Sequence, residues 1–563
     1  MTLIDRAGDL LLRFRQSSLG GLSTGGISAA LIGLYVSLSP SLLPRPWAMQ
    51  GVISGVVLCL FYPVGVVVQW MVGKLVAAID LEYSISDRAR RFLSISWFLL
   101  AAGLYLAAQA ISLSWQRDSA SLVGAPEPGA GYVLGSLLIT SVVFGLILLI
   151  YRGIHWAVTR AEELGRRVLP AAVSRALATL VVLLLAVVLV DRLVLANILR
   201  VAQQSSLVSN STAPKGFSAP TSSLRSGGPR SAESWESLGT EGARFVASGP
   251  SAAEITAITG QPAVEPIRVY AGLGERTIKE VAEAVVAEME RTGAFQRAAI
   301  MLYTTTGTGW VNEWHPSAFE YIGGGDTAVA AMQYSRFPSG LALITDTESP
   351  RAAGRLLFEA VTAKVDQMPP NARPKIYVGG ESLGAFGSQA TFATPEALLA
   401  DVEGAVWTGT PGFTPLHRAL TADRMPGSTE VNPVIDNGLH VRFAANQAEL
   451  VADQYARPLG PWAQTRIVYL QHPSDPVVWW SMSLLFESPD WIDEAPGSDV
   501  TGRMRFVPIA TWLQVSADMV VATNVDHGHG HIYQDEVVPA WAGVLGQDPE
   551  ADYAPIISAI RSA

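Results

Sequence analysis

The 563-residue sequence predicts an all-α bundle of membrane-spanning helices followed by an α/β domain built on a mostly parallel sheet. Three observations predict it. Mean hydropathy is high at +0.29, and the apolar excess lies in about the first 200 residues, in stretches long enough to cross a bilayer. Beyond a Ser/Gly/Pro-rich segment, short β-branched runs alternate with helical periodicity, as βα units require. One of those runs ends in Gly380-Glu-Ser-Leu-Gly384, a pattern that belongs between a strand and a helix.

The expected organisation is a transmembrane domain over 1–202, a linker over 203–240 and a catalytic domain over 241–563. Five apolar stretches, roughly 23–43, 51–73, 92–115, 131–151 and 173–195, are candidate spans. The second, third and fourth carry no charge, whereas Arg175, Asp191 and Arg192 fall in the fifth. Pro40 and Pro44 to Pro46 give the first a turn-forming exit. Lys and Arg concentrate in alternate polar segments: Arg6, Arg13 and Arg15; Lys74, Arg88, Arg90 and Arg91; and Arg152, Arg160, Arg166 and Arg167. With Arg175 that is twelve, against two (Arg45 and Arg117) in the intervening loops. The positive-inside rule then puts the N-terminus in the cytoplasm, and five crossings put the catalytic half outside the cytoplasmic membrane. The linker reads as a flexible tether, and Asn210-Ser-Thr within it matches a glycosylation sequon.

The net charge of −10 argues against nucleic acid as a partner. The single cysteine, Cys59, excludes an intrachain disulfide and a cysteine metal site. No cofactor and no metal are expected.

Strands are expected at 267–271, 298–303, 327–334, 374–378, 404–408 and 466–470, with helices at 277–292 and 350–365. In such a sheet ligands bind beyond the carboxyl ends of the strands, where Ser382 falls. The turn is tight enough that its flanking residues are nearly side-chain-free, which explains Gly380 and Gly384. Ser382 is therefore the candidate nucleophile. Its acid partner is Asp475, just past the 466–470 strand in His472-Pro-Ser-Asp-Pro476; Asp401, Asp436 and Asp453 follow no comparable strand. The base must follow the acid in the chain, which leaves His527, His529 and His531 in Asp526-His-Gly-His-Gly-His531. These follow an apolar run, 519–523, and precede a helix over 534–545, the place of a last-strand loop. Glycine on both sides favours His529, with His531 as the alternative base. Alternating histidines also suit a metal site. Two backbone N–H groups would form the oxyanion hole: Leu383, after the nucleophile, and Gly307 or Thr308 in the Thr306-Gly-Thr-Gly309 loop. Trp310, Trp479 and Trp480, with Phe413 in the insertion before residue 466, are candidates for an apolar acyl pocket.

The phrases SLGTEGARFV, PIRVYAGL, TGTGWV, QYSRFPS, GGESLGAFGSQ, LQHPSDPVVWWS and GHGHIY resemble the membrane-anchored α/β-hydrolase family found mainly in actinobacteria. Thr304-Thr-Thr stands where that family is expected to carry a proline-containing loop. The resemblance implies an α/β-hydrolase fold, an N-terminal multi-helix membrane domain and esterase-like activity on a lipid or other acyl ester. Acyl transfer to an envelope lipid or glycan would use the same covalent intermediate. A non-catalytic membrane receptor or transporter is the alternative from another class.

Overall fold

The computed structural model describes residues 23–79, 86–190, 214–338 and 346–563. They form two compact units. Unit 1 contains the N-terminal helices and two segments from far along the chain, Met482–Ser488 and Val500–Val521; unit 2 holds the rest.

The N-terminal part of unit 1 has five described helices: α1 (Thr24–Leu38), α2 (Trp47–Ala78), α3 (Asp87–Leu122), α4 (Tyr132–Gly165) and α5 (Ala171–Val190). Three of them, α2, α3 and α4, are long and apolar enough to cross a membrane. At 32 residues α2 reaches about 48 Å, against a hydrocarbon core of about 30 Å. All five expected stretches fall in these helices, and α1 and α5 are the shorter apolar ones among the described residues. The first helix stops at Leu38 rather than 43, after 15 residues, because Ser39 precedes a proline and is held extended at ψ 150°. Part of the fifth expected span, 191–195, lies outside the described residues, as do Asn210 and the first part of the linker.

Helices α1 and α2 meet backbone to backbone. A Cβ built on Gly65 would run into the carbonyl oxygen of Gly25, so this crossing requires glycine on both sides. The helix Ala510–Asp518 belongs to the same unit. Its Ala510 packs with Ile53 and Val57. Gln514 Nε2 donates to the Ser39 carbonyl at 3.0 Å, and Asp518 Oδ2 accepts the Leu42 N–H at 3.1 Å. Arg503 pairs with Asp118 near the end of α3. This segment therefore packs on the end of the bundle that carries the loops 39–46 and 123–131.

Unit 2 is a sheet of seven strands, all parallel: β1 (Ile267–Ala271), β2 (Ala299–Thr304), β3 (Thr327–Met332), β4 (Lys375–Glu381), β5 (Gly404–Thr408), β6 (Val441–Ala444) and β7 (Arg466–Leu470), in the order β1-β3-β2-β4-β5-β7-β6. Ile300 and Leu302 feed one core layer while Met301 and Tyr303 feed the other. Both faces are covered by helices, so the strands read as continuous apolar runs. A buried charge interrupts β1, and Arg268 is matched there by Glu320 at 2.8 Å and Glu313 at 2.6 Å. From residue 214 the presumed tether is folded. Ser226 N–H donates to the Arg268 carbonyl at 3.1 Å, and the Ser226 and Ser231 hydroxyls donate to Glu288.

Two features of the sheet differ from expectation. The edge strand β6 has no counterpart among the expected strands: it is four residues long, and Arg442 breaks its apolar run by donating to the Gly438, Leu450 and Gly460 carbonyls. The 519–523 run is not a strand. Met519–Val521 is a 3₁₀ turn within unit 1.

Gly65→Ala in the detergent-solubilised protein is expected to lower the melting temperature, at a cost of about 1–3 kcal/mol. Gly73→Ala, with nothing within 4 Å of the added carbon, is the control and is expected to leave it unchanged. Equal melting of the two variants would rule out the close crossing.

Candidate active site

Strand β4 carries Ser382 into a turn that L-residues avoid, at φ 55°, ψ −122°. Such strain persists only where the surroundings enforce it. A Cβ on Gly380 would lie 2.7 Å from the Gly384 carbonyl carbon, and one on Gly384 would collide with the Thr304 carbonyl oxygen. The Ser382 N–H donates to the Thr408 carbonyl at 2.9 Å, which ties the turn to the end of β5. Leu383 opens the helix Leu383–Gln389, so its N–H has no acceptor inside that helix.

Asp475 is buried just past β7. Its Oδ1 accepts the Val477 N–H at 2.8 Å, and its Oδ2 accepts the His531 Nδ1–H and the Tyr533 hydroxyl, each at 2.7 Å. The partner of Asp475 is thus His531, not the favoured His529. The His531 ring lies against Gly409, where a Cβ would come within 2.8 Å of Nδ1. Gly409 directly follows the Thr408 that holds the Ser382 N–H, so adjacent residues at the end of β5 contact the elbow backbone and the His531 ring. Burial lowers the His531 pKa, but Asp475 and then Glu381 outweigh it and hold the pKa above its ordinary value.

His529 is 31% exposed and pairs through Nδ1 with Asp499 at 3.0 Å. His527, 53% exposed, faces Asp535 at 3.9 Å. The three histidines thus face three different carboxylates, and among the described residues no group of three His, Cys, Asp or Glu is arranged to hold a metal. The Gly530 between His529 and His531 is pinned on both sides. Its N–H donates to Ser474 Oγ at 2.8 Å, and Ser474 in turn donates to Asp499. Its carbonyl accepts from His472 Nδ1 at 2.9 Å.

His472 precedes the acid in the chain, so the order Ser, Asp, His gives it no part. It is buried, stacked on Tyr533 at 4.2 Å, and its Nε2 lies 3.0 Å from Glu536 Oε1. The two atoms face one another as a buried ion pair. Burial lowers the His472 pKa, but Glu536 and Asp499 overcome it and bring it to about 9. The GHGH spacing gives no hint of this clamp. Its one visible trace is the His472 and Ser474 flanking Pro473.

The Gly307 N–H is donated to the Tyr334 hydroxyl at 3.2 Å. That N–H is thereby engaged, which favours Thr308 as the donor in that loop. Trp310 closes the loop through paired backbone bonds with Thr306. Trp479 is buried, with its indole N–H on the His472 carbonyl at 3.2 Å and its ring against Trp491, so it supports the His472 turn. Trp480 meets Phe413, which meets Phe386 beside Leu383 and Phe337. That apolar cluster adjoins the elbow.

A family model described as alpha/beta-hydrolase family matches residues 267–554, and a second, described as alpha/beta-hydrolase family N-terminus, matches residues 38–250. Searches of curated proteins and of solved structures found no match.

The His472 clamp makes stability depend on pH. Its folded pKa of about 9 lies above the ordinary histidine value of about 6.5. The stabilisation is therefore complete below about pH 6.5 and lost as pH rises through about 9. Melting temperature is expected to fall across that window in the wild type and to stay flat in His472→Gln. A wild-type melting temperature independent of pH there would exclude the charged clamp.

Proposed function

The chain belongs to the alpha/beta-hydrolase family, and we propose that it is a membrane-anchored serine esterase or lipase working at the outer face of the cytoplasmic membrane. The observation that carries the chemistry is the strained Ser382, joined through Thr408 and Gly409 to a His531–Asp475 pair. In this reading Ser382 Oγ attacks the acyl carbonyl carbon while His531 Nε2 takes the hydroxyl proton. Asp475 keeps the proton on Nδ1 and supports the imidazolium. The oxyanion collects the N–H groups of Leu383 and Thr308. Collapse breaks the ester C–O bond, and His531 returns the proton to the departing alcohol. Water, activated by the same imidazole, then releases the acid and restores Ser382. The cluster of Phe337, Phe386, Phe413 and Trp480 is the proposed bed for the acyl chain.

Membrane placement rests on α2, α3 and α4. The charge distribution supports the outer face, and one packing feature is consistent with it. Lys and Arg are scarce in the loops that contain Arg45 and Arg117. The 500–521 segment, which leaves and rejoins the hydrolase sequence, packs on the end of the bundle bearing those same loops.

A fluorophosphonate probe is expected to label the full-length protein. Ser382→Ala and His531→Ala are each expected to abolish labelling and to lower p-nitrophenyl ester hydrolysis by roughly 10³-fold or more. His529→Ala is expected to reduce both only several-fold. Hydrolysis by Ser382→Ala near the wild-type rate would end the reading. For orientation, a reporter active only in the cytoplasm and fused after Ala563 is expected to be silent, and activity there would reverse it.

A further inference from the structure

The residue between Gly380 and the nucleophile is itself an acid, Glu381, and it is 4% exposed at the end of β4. Its Oε2 accepts from Asn312 Nδ2 at 2.6 Å and from Thr408 Oγ1 at 3.1 Å. Asn312 also donates to the backbone carbonyl of Tyr533 at 2.9 Å, two residues beyond His531. Behind Thr408 stands His315, with Nε2 3.2 Å from Thr408 Oγ1 and Nδ1 receiving the Trp541 indole N–H at 3.3 Å.

The proton positions follow from the outer end of this chain. An indole N–H can only donate, so His315 Nδ1 accepts and Nε2 carries the hydrogen. The Thr408 hydroxyl then accepts from His315 and gives its own hydrogen to Glu381. Every donor in the row points toward one carboxylate, an arrangement suited to its ionised form. Burial holds the His315 pKa down at about 3, which keeps that imidazole neutral and the direction of the row fixed.

We propose that Glu381 is a positioning residue for the base: a second carboxylate, beside Asp475, that sets the acidity of His531 and stabilises the imidazolium formed when Ser382 gives up its proton. The proposal rests on the serine-hydrolase reading. Asp475 occupies His531 Nδ1. Glu381 acts across the end of β5, with Thr408 bonded to it and Gly409 against the imidazole. Burial pushes the Glu381 pKa up, and His531 is the foremost influence opposing that. The other groups facing the pair are Asp475, which favours the imidazolium; His472, which opposes it; and Tyr303 and Tyr533, whose hydroxyls burial keeps protonated. Asp475 and Glu381 thus place two acids near one imidazole, and only Asp475 could be found from its position after a strand.

The test is the rate of fluorophosphonate labelling of the full-length protein in detergent, measured from about pH 5 to 9. Glu381→Gln keeps the shape and removes the charge. It is expected to move the acidic limb down by about one pH unit and to slow the plateau about tenfold. Glu381→Asp is expected to return the limb to within a few tenths of a unit. Thr408→Ala, which weakens the ionised carboxylate, is expected to move the limb the same way by less. An unmoved limb in Glu381→Gln, or an equal displacement in Glu381→Asp, overturns the proposal while leaving the triad intact. Where Glu381→Gln does not fold, an unmoved limb in Thr408→Ala overturns it. Labelling that survives Ser382→Ala, or is absent from the wild type, overturns the hydrolase reading and this inference with it.

Discussion

The α/β half is organised around a lack of space after β4. Residues 380 and 384 cannot carry a Cβ, because Gly384 lies against the end of β2 and Gly380 against Gly384 itself. That crowding holds Ser382 at a positive φ. The energy stored there is matched by the sheet on either side. Thr408 takes the Ser382 N–H, and the β2 loop closes on itself through Thr306 and Trp310. Looser packing at either neighbour would let the turn relax and the hydroxyl swing away.

The end of β5 has a comparable share in the site. Three consecutive groups, the Thr408 carbonyl, the Thr408 hydroxyl and the bare Gly409 backbone, engage the elbow, Glu381 and His531 respectively. Strand register therefore relates Ser382 to His531 through neighbouring backbone positions. The loop with the histidines is held separately, by His472 and Ser474 on either side of Gly530.

Much of this was legible in the sequence because it follows from local rules. Strands β1, β5 and β7 begin and end at the expected residues, since parallel buried strands are apolar runs bounded by turn formers. The elbow was legible because its glycines answer a steric demand. The pairing of Asp475 with His531 was not: flanking glycines measure backbone freedom, whereas the pairing depends on which histidine the Gly530 clamp turns toward β7. Glu381 was hidden for a similar reason, since the middle positions of the motif accept many residues and its partners lie 69 and 27 residues away. The five apolar stretches each fall in a helix, but the end of the first was misplaced because apolar composition does not register where Ser39-Pro40 stops a helix. The edge strand β6 was obscured by a buried arginine that a pattern reading takes for solvent-facing.

The distribution of the chain between its two units bears on how such a protein can be divided or recombined. The family matches, 38–250 and 267–554, look like modules that could be exchanged. Yet residues 482–488 and 500–521 lie inside the second stretch and fold with the helices of the first. An excised hydrolase half would carry Ala510 and its neighbours without Ile53 and Val57, and Asp518 without the Leu42 backbone. The excursion leaves after Asp499 and returns at Ala522, whose carbonyl takes the His531 N–H. Gene fusion or shuffling between relatives would therefore have to carry both stretches together. A hydrolase half with a foreign helical half would inherit a mismatch whose two ends are tied to the histidine loop.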